Sequence, residues 1–364
     1  MNIVVIFGGA SVEHDVSILT GLHAAKNISH CHQVELLYLT RTGQMVTSER
    51  DGILSCIDYF INGNVEKAPK CFFSDGCLYK KTHFGSKKIF RVDAVLNCCH
   101  GGVGEDGRLA AMFDVLGIPI TSCNSVAAYN MQSKSRTREI LTANGFPQPQ
   151  YKKIERGQTY IVDKKDPFGF PVIVKPDMLG SSIGISVVHN QKELDEAIEL
   201  GFSVDDTVII EQFFENVVEI NCSAMRYGNE IMTSGCEIMD KGGDILDFNK
   251  KYIDSQTGFI KKGKRDEKVH EKEEEIKEIT KSAYELFKAK GVIRADFLIQ
   301  DGKVYLNEIN TVPGFLAYHL WLKVGLPYTA LIEMMIEQAM KSSRNDIKTS
   351  FKSDILQKNR ILVQ

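Results

Sequence analysis

Two short stretches separated by an Asp-Gly pair carry acid and amide side chains at spacings that suit a metal site. Arg294 and Asp296 lie two residues apart in the first stretch, and Glu308 and Asn310 lie two apart in the second. Carboxylate and amide oxygens are the hard donors that Mg²⁺ prefers. The pattern indicates a magnesium site, and the alternative is a set of exposed acids salt-bridged to Arg294 on a sheet face.

The Asp-Gly pair itself predicts a β-hairpin. Residues two apart on a strand share a face, so each polar pair lies on one face of its strand. A plain two-residue turn would place Asp296 and Glu308 on opposite faces of the hairpin. We therefore predict a three-residue loop or a β-bulge that brings both carboxylates to one face. Beyond the hairpin, Pro313 and Gly314 predict a turn that brings backbone N–H groups close to the site.

A second candidate site follows the apolar stretch PVIVKPD. Lys175 ends a predicted strand, and the next loop offers backbone and hydroxyl donors from Gly180, Ser181 and Ser182. The pattern is neither a Walker A motif nor a dinucleotide-binding fingerprint. It predicts a phosphate-binding loop, with a surface hairpin loop as the alternative. Farther on, Glu211 ends an apolar strand that either lines a planar base or simply leads into a linker.

Alternating strands and helices must position these residues. The order of strand, glycine-rich turn, helix and strand predicts an N-terminal parallel-sheet α/β domain over residues 1–124. We predict a small central domain over residues 125–213 and a C-terminal domain over residues 214–350, which carries the acid-bearing hairpin. Polar residues from about 241 to 262 predict a mobile loop, and residues 351–364 a tail. A chain of 364 residues is long enough for two or three domains.

The composition excludes several classes of partner. The formal net charge is −3, which argues against nucleic acid and against an anionic membrane surface. The first residues, MNIVVIF, predict a strand rather than a signal peptide, and no apolar run approaches the ~20 residues of a membrane span. Nine scattered cysteines without C-x-x-C spacing predict reduced core residues. We therefore expect a cytoplasmic protein.

Taken in order, the motifs resemble the D-alanine–D-alanine ligase family of the ATP-grasp superfamily. The resemblance runs through FGGASVEHDVS, HGGVGEDG, PVIVKPDMLGSSIGIS, DFNKKY, IRADF and NEINTVPGF, and covers nearly all of the chain. It implies a three-domain α/β ATP-grasp architecture. It also implies ATP-dependent joining of two D-alanines through an acyl phosphate for peptidoglycan synthesis, with two Mg²⁺ ions, or Mn²⁺ in their place, and a homodimer.

The resemblance also implies a role for each matching residue. Glu13 would hold the ammonium of the first D-alanine, His100 would lie near its carboxylate, and Arg294 with the Gly314 N–H would form an oxyanion hole. Ser181 and Tyr252 would hydrogen-bond with Glu13 and close the mobile loop. The other implied roles fall to Lys134, Lys175, Lys251 and Ser182 at the phosphates; Glu211 at the adenine; Glu219 at the ribose; and Asp296, Glu308 and Asn310 at the metal ions.

One departure from the family pattern concerns the second substrate. The family has a serine after Pro-Gly where this chain has His319, with Trp321 close by. An imidazole can donate to a carboxylate, so His319 is a candidate acceptor-binding residue, and a packing role is the alternative. Tyr252 favours an amine acceptor. A D-alanine–D-serine ligase, or one for another D-amino acid, is the first alternative function, and a nucleotide-binding ATP-grasp protein without ligase activity is the second.

Overall fold

The computed structural model describes residues 1–48, 59–60, 65–163, 166–239 and 267–344. The loop over residues 241–262, with Lys251 and Tyr252, and the tail over residues 351–364 lie outside the described residues. In the part of the chain that the structure describes, no helix has the length and apolar character needed to cross a bilayer.

The N-terminal part is built on a four-stranded sheet with the order β3-β2-β1-β7. Its core strand β1 is parallel to both β2 and β7, which confirms the predicted parallel α/β unit. Strands β4 to β6 form a separate antiparallel sheet that the sequence did not predict. The elements are β1 (Asn2–Gly8), α1 (His14–Asn27), β2 (Gln33–Leu39), β3 (Met45–Val46), β4 (Cys71–Ser74), β5 (Cys77–Thr82), β6 (Gly85–Arg91), β7 (Ala94–Asn97) and α2 (Arg108–Val115).

The central part contains an antiparallel sheet with the order β10-β9-β11-β8. Its apolar face packs against helix α5, and this core draws only on residues between Ile154 and Ile210. The elements are α3 (Ser125–Gln132), α4 (Lys134–Ala143), β8 (Tyr151–Glu155), β9 (Val172–Pro176), β10 (Ser186–Val188), α5 (Gln191–Phe202) and β11 (Thr207–Gln212).

The C-terminal part contains an antiparallel sheet with the order β13-β12-β15-β16, and β14 pairs with β12. One face of this sheet packs against α6, whose apolar residues include Ile276 and Tyr284. The elements are β12 (Val218–Tyr227), β13 (Glu230–Thr233), β14 (Glu237–Ile238), α6 (Glu267–Leu286), β15 (Val292–Gln300), β16 (Lys303–Asn310), α7 (Tyr318–Leu322) and α8 (Tyr328–Arg344).

A single core joins the two ends of the chain. Phe7 and Leu96 of the N-terminal sheet cluster with Trp321 of α7 and with Leu331 and Ile336 of α8. All five side chains are fully buried. Burial of large apolar side chains is the main favourable contribution to folding, so the N-terminal sheet depends on helices from the C-terminal part. This arrangement fixes the N-terminal loops against the C-terminal hairpin.

Candidate active site

The hairpin of β15 and β16 places the predicted metal residues on one face. The strands are joined by a two-residue turn, with Gln300 opposite Lys303. The register shifts next to Asp296, so that Asp296 lies opposite Glu308 and Asn307 is the extra residue of a bulge. Cross-strand partners point to the same face, and the bulge therefore brings the two carboxylates together. The predicted bulge is confirmed.

The polar side chains of this face are already ordered by one another. Arg294 donates from Nε to Asp296 Oδ1 at 2.7 Å and from Nη2 to Asp296 Oδ2 at 2.8 Å. Asn310 donates from Nδ2 to Asp296 Oδ2 at 3.0 Å. The described residues hold no cluster of three or more His, Cys, Asp or Glu side chains suited to a metal ion. Two carboxylates and an amide fit Mg²⁺ that completes its shell with water and substrate phosphates.

The predicted phosphate lysines are positioned from the central part. Asp177, just beyond β9, accepts hydrogen bonds from Ser133 Oγ at 2.6 Å and from the Ser135 N–H at 2.6 Å, which ties the start of α4 to the end of β9. Lys134, the first residue of α4, donates to the Leu179 carbonyl at 2.5 Å. Its burial lowers its pKa. Lys134 is thereby fixed relative to the glycine-serine loop.

Glu211 is the centre of a buried ion-pair group. It accepts from Arg138 Nε at 2.6 Å and from Lys175 Nζ at 2.6 Å, and the carboxylate is 1% exposed. Burial alone would raise the pKa of the Glu211 carboxyl, but the two cations outweigh it and hold the pKa at about 2. Glu211 is thus ionised at all ordinary pH values. Both of its oxygens are engaged, so its side chain supports Lys175.

The glycine-serine loop bridges the two sides of the cleft. Ser181 and Ser182 adopt left-handed backbone conformations, with φ of 56° and 59°. The Ser181 hydroxyl donates to Glu13, which is 8% exposed. A Cβ atom at Gly180 would lie 3.6 Å from the Glu13 carboxylate, so the loop passes close to that acid. The contact between Ser181 and Glu13 is the one that the resemblance implies.

His100 connects the N-terminal part to the turn after β16. Its Nδ1 lies 2.6 Å from the Val312 carbonyl and its Nε2 lies 2.7 Å from Thr20 Oγ1. Thr20 Oγ1 in turn accepts from the Phe315 N–H at 3.2 Å. The Val312 carbonyl can only accept a hydrogen bond, so the imidazole donates to it from Nδ1. His100 therefore positions the turn that carries Gly314.

Two adjoining cavities collect nearly all of the predicted site residues that the structure describes. The first is lined by Glu13, His100, Lys134, Ser181, Arg294, Glu308, Asn310 and Gly314, among others. The second is lined by Lys134, Lys175, Ser181, Ser182, Glu211, Glu219, Arg294, Asp296 and Glu308, among others. The residues common to both cavities include Lys134, Ser181, Arg294 and Glu308. The two cavities therefore adjoin at these shared side chains.

His319 is the described site candidate that lines neither cavity. Its Nε2 lies 3.1 Å from Glu237, and Lys323 Nζ lies 3.0 Å from the same carboxylate. Burial raises the pKa of Glu237, but His319 and Lys323 together lower it to about 2. This pairing supplies a packing role for His319, and an acceptor-binding role stays a prediction.

Three residues of the site escaped sequence reasoning. Arg138 is one helical turn from Lys134, so the i, i+4 spacing on α4 was the available signal. Glu105 is buried, lines the first cavity and lies 3.7 Å from His100; burial raises its pKa. Thr20 lies in the middle of α1 and has no sequence signal, because its role depends on tertiary contacts with His100 and Phe315.

Fold and site together define an ATP-dependent ligase of the ATP-grasp class. Family models described as "D-ala D-ala ligase N-terminus" and "D-ala D-ala ligase C-terminus" match residues 2–123 and 140–337. The chain belongs to the D-alanine–D-alanine ligase family. The sequence is 32% identical over 371 residues to a D-alanine–D-alanine ligase of Thermosipho melanesiensis, with 98% of each chain covered.

Two further relatives agree. A D-alanine–D-alanine ligase of Nitratiruptor is 34% identical over 323 residues, which covers 88% of this chain and 90% of the relative. The crystal structure of the Helicobacter pylori D-alanine–D-alanine ligase matches with a TM-score of 0.74 and 27% identity, covering 93% of this chain and 98% of that chain. Membership of this family implies the use of ATP and a divalent metal ion.

Proposed function

We propose that this protein joins two molecules of D-alanine to D-alanyl-D-alanine at the expense of ATP, for peptidoglycan precursor synthesis in the cytoplasm. The observation that carries the proposal is a pair of adjoining cavities that share Lys134, Ser181, Arg294 and Glu308. At one end Glu13 meets the loop of Ser181, and at the other Lys175 and Lys134 face Asp296 and Glu308. Few reactions other than phosphoryl activation of a small amino acid need all of these groups together.

The proposed reaction has two steps. A carboxylate oxygen of the first D-alanine attacks the γ-phosphorus of ATP, and the bond to the bridging oxygen breaks to release ADP. The amine of the second D-alanine then attacks the carbonyl carbon of the acyl phosphate. A carbon–nitrogen bond forms, the amine loses a proton, and inorganic phosphate leaves from the tetrahedral intermediate.

The first substrate is held by groups from three parts of the chain. Glu13 pairs with the substrate ammonium, and Ser181 fixes the Glu13 carboxylate. His100 lies near the substrate carboxylate and holds the turn of Gly314. The Arg294 guanidinium and the Gly314 N–H stabilise the oxyanion, and loss of one such donor typically costs roughly 3 kcal/mol of transition-state stabilisation.

The nucleotide is held by charge and by the walls of the second cavity. Lys134, Lys175 and Lys251 neutralise phosphate charge, because two anions must meet in the first step. The Ser182 hydroxyl adds a donor. Glu211 lies at the adenine and orients Lys175 toward the phosphates, and Glu219 binds the ribose. Two Mg²⁺ ions, or Mn²⁺ in their place, supply charge neutralisation when bound, held by Asp296, Glu308 and Asn310.

The proposal also includes the loop over residues 241–262 and the oligomeric state. The loop over residues 241–262, with Lys251 and Tyr252, lies outside the described residues, and the family resemblance gives it the role of excluding water from the acyl phosphate. The active form is a homodimer. Neither nucleic acid nor membrane takes part.

One incubation series tests the proposal. The protein is mixed with ATP, Mg²⁺ and single or paired D-amino acids, and phosphate and dipeptide are measured. D-alanine alone is expected to give equal amounts of phosphate and D-alanyl-D-alanine. A product formed only with D-serine as acceptor would move the assignment to a mixed ligase, with His319 at the acceptor. Nucleotide binding without phosphate release would leave only an ATP-grasp binding protein.

A further inference from the structure

Arg138 is a buried arginine at the junction of three elements of the site. Its side chain is 2% exposed, and it lies on α4 one turn after Lys134. It donates from Nε to Glu211 Oε1 at 2.6 Å, from Nη1 to the Leu306 carbonyl at 2.9 Å and from Nη2 to Asn307 Oδ1 at 3.3 Å. A planar guanidinium carries five N–H donors in a fixed fork, so this one side chain reaches three separated acceptors at once.

We propose that Arg138 is a positioning residue of the nucleotide site, because its guanidinium sets Lys175 and the Asp296–Glu308 pair relative to each other. The inference rests on the proposed function, since it assigns Arg138 a part in binding the nucleotide with its metal ion. Arg138 itself does not meet substrate. It acts through Glu211 on the central sheet and through the bulge on the C-terminal hairpin.

The first arm runs from Arg138 to Lys175. Glu211 accepts from Arg138 with one oxygen and from Lys175 Nζ with the other, at 2.6 Å in each case. Lys175 Nζ also lies 3.4 Å from Asn307 Oδ1. With Arg138 in place, the carboxylate has one orientation, and the lysine is held toward the cleft. Without it, Glu211 is free to turn, and a flexible lysine side chain loses its fixed direction.

The second arm runs from Arg138 to the bulge. Leu306 and Asn307 immediately precede Glu308, and the extra residue at Asn307 is what brings Glu308 opposite Asp296. The Leu306 N–H donates to the Pro147 carbonyl at 2.9 Å, and its carbonyl accepts from Arg138. Next to the bulge, both backbone groups of Leu306 are therefore hydrogen-bonded, the N–H to Pro147 and the carbonyl to Arg138. Bulged strands bend locally, so these two hydrogen bonds of Leu306 determine where the Glu308 carboxylate lies.

Two substitutions of Arg138 distinguish its contact with Glu211 from its contacts with Leu306 and Asn307. Arg138→Met keeps an unbranched apolar stem and removes all three donors. Arg138→Lys keeps a cation that can reach Glu211, but one ammonium cannot span to Leu306 and Asn307 as well. Arg136→Met is the matched control, since Arg136 lies on the same helix, is exposed and pairs only with Glu139 among the described contacts.

The test measures three quantities on the full chain. MgADP affinity is measured by calorimetry without D-amino acids, and its Mg²⁺ dependence is recorded. The KM values for ATP and for D-alanine are measured separately. We expect Arg138→Met to weaken MgADP binding and to raise the KM for ATP at least tenfold, with the D-alanine KM at saturating ATP changed less than twofold. We expect Arg138→Lys to recover most of the nucleotide affinity and to keep a raised Mg²⁺ requirement.

Several results would overturn the inference. Arg138→Met with the nucleotide affinity of Arg136→Met would remove any positioning role. Loss of kcat in proportion to the folded fraction, with both KM values unchanged, would leave Arg138 with a purely stabilising role. Should Arg138→Met fail to fold, a folded Arg138→Lys with unchanged MgADP affinity and unchanged Mg²⁺ dependence overturns the inference. A wild-type protein that binds MgADP but forms no dipeptide refutes the ligase proposal alone, because the nucleotide comparison stays measurable.

Discussion

Glu308 lies opposite Asp296 because Asn307 is bulged out of the ladder between β15 and β16. This single extra residue reverses the face to which a side chain points, since the period of a strand is two. Arg294 and Asn310 then order the Asp296 carboxylate from both sides. At the scale of residues, the proposed metal site is thus a result of strand register. Its ability to bind a metal ion depends on Glu308 having a carboxylate rather than an amide.

Replacing that carboxylate by an amide tests the metal role. We expect Glu308→Gln to lower kcat/KM by at least about 100-fold while the melting temperature changes little, because an amide is a weak, neutral ligand for Mg²⁺. Glu230→Gln, at an exposed position of β13, is the matched control and is expected to keep full activity. Phosphate release with ATP, Mg²⁺ and D-alanine is the measurement. Near-normal turnover of Glu308→Gln would refute the metal assignment.

At the scale of elements, β15 begins at a point where two parts of the chain touch. Gly291 has a φ of +68°, and a Cβ atom there would lie 2.0 Å from the Thr121 carbonyl oxygen. Gly228 has a similar φ of +60°, but a Cβ atom there would meet nothing within 4 Å. Substitution of Gly228 therefore tests only the free-energy cost of a left-handed backbone. Substitution of Gly291 tests that cost together with the cost of a steric clash.

This pair gives a measurable difference in stability. We expect Gly228→Ala to lower the free energy of unfolding by roughly 1 kcal/mol, from backbone strain alone. Gly291→Ala adds a steric clash with backbone, so its cost is expected to be about 2–4 kcal/mol. Urea denaturation followed by circular dichroism gives both values. Equal costs at the two positions would contradict the close contact between Gly291 and Thr121.

Sequence reasoning succeeded where the answer depended on local chemistry. The Asp-Gly turn and the two-residue spacing of the polar pairs were enough to predict a three-residue loop or a bulge, and the bulge is present. The order of strand, glycine-rich turn, helix and strand was enough to predict the parallel sheet. It failed for Arg138 and Thr20, whose partners lie far away in sequence. It also missed the sheet of β4 to β6, because β5 and β6 carry paired lysines rather than an alternating apolar pattern.

At the scale of the whole molecule, the first and last thirds of the described chain share one core. The chain has one tryptophan, and Trp321 is fully buried in that core and donates from Nε1 to Ser223 Oγ at 3.0 Å. Phe7, from the first strand, belongs to the same cluster. Phe168 belongs instead to the separate core of the central sheet. Tryptophan fluorescence therefore reports on packing between distant parts of the sequence.

The shared core predicts long-range coupling in unfolding. We expect Phe7→Ala to shift the urea midpoint of the Trp321 fluorescence transition, with a loss of about 3–5 kcal/mol, because a buried phenylalanine is removed from the cluster around Trp321. Phe168→Ala is the control and is expected to shift that transition much less. A Phe7→Ala variant with an unchanged fluorescence midpoint would show that the two ends unfold independently.

The same arrangement has a consequence for biosynthesis. When the ribosome has completed β7, the N-terminal sheet still lacks Trp321, Leu331 and Ile336, which cover one of its faces. Roughly 240 further residues must be translated first, which takes on the order of 10 to 50 s at typical rates of synthesis. The central sheet has all of its own core residues much earlier. Helix α1 already covers part of that face, but the rest stays exposed until α7 and α8 are made, so the earliest part of the chain to be synthesised is among the last to reach its native packing.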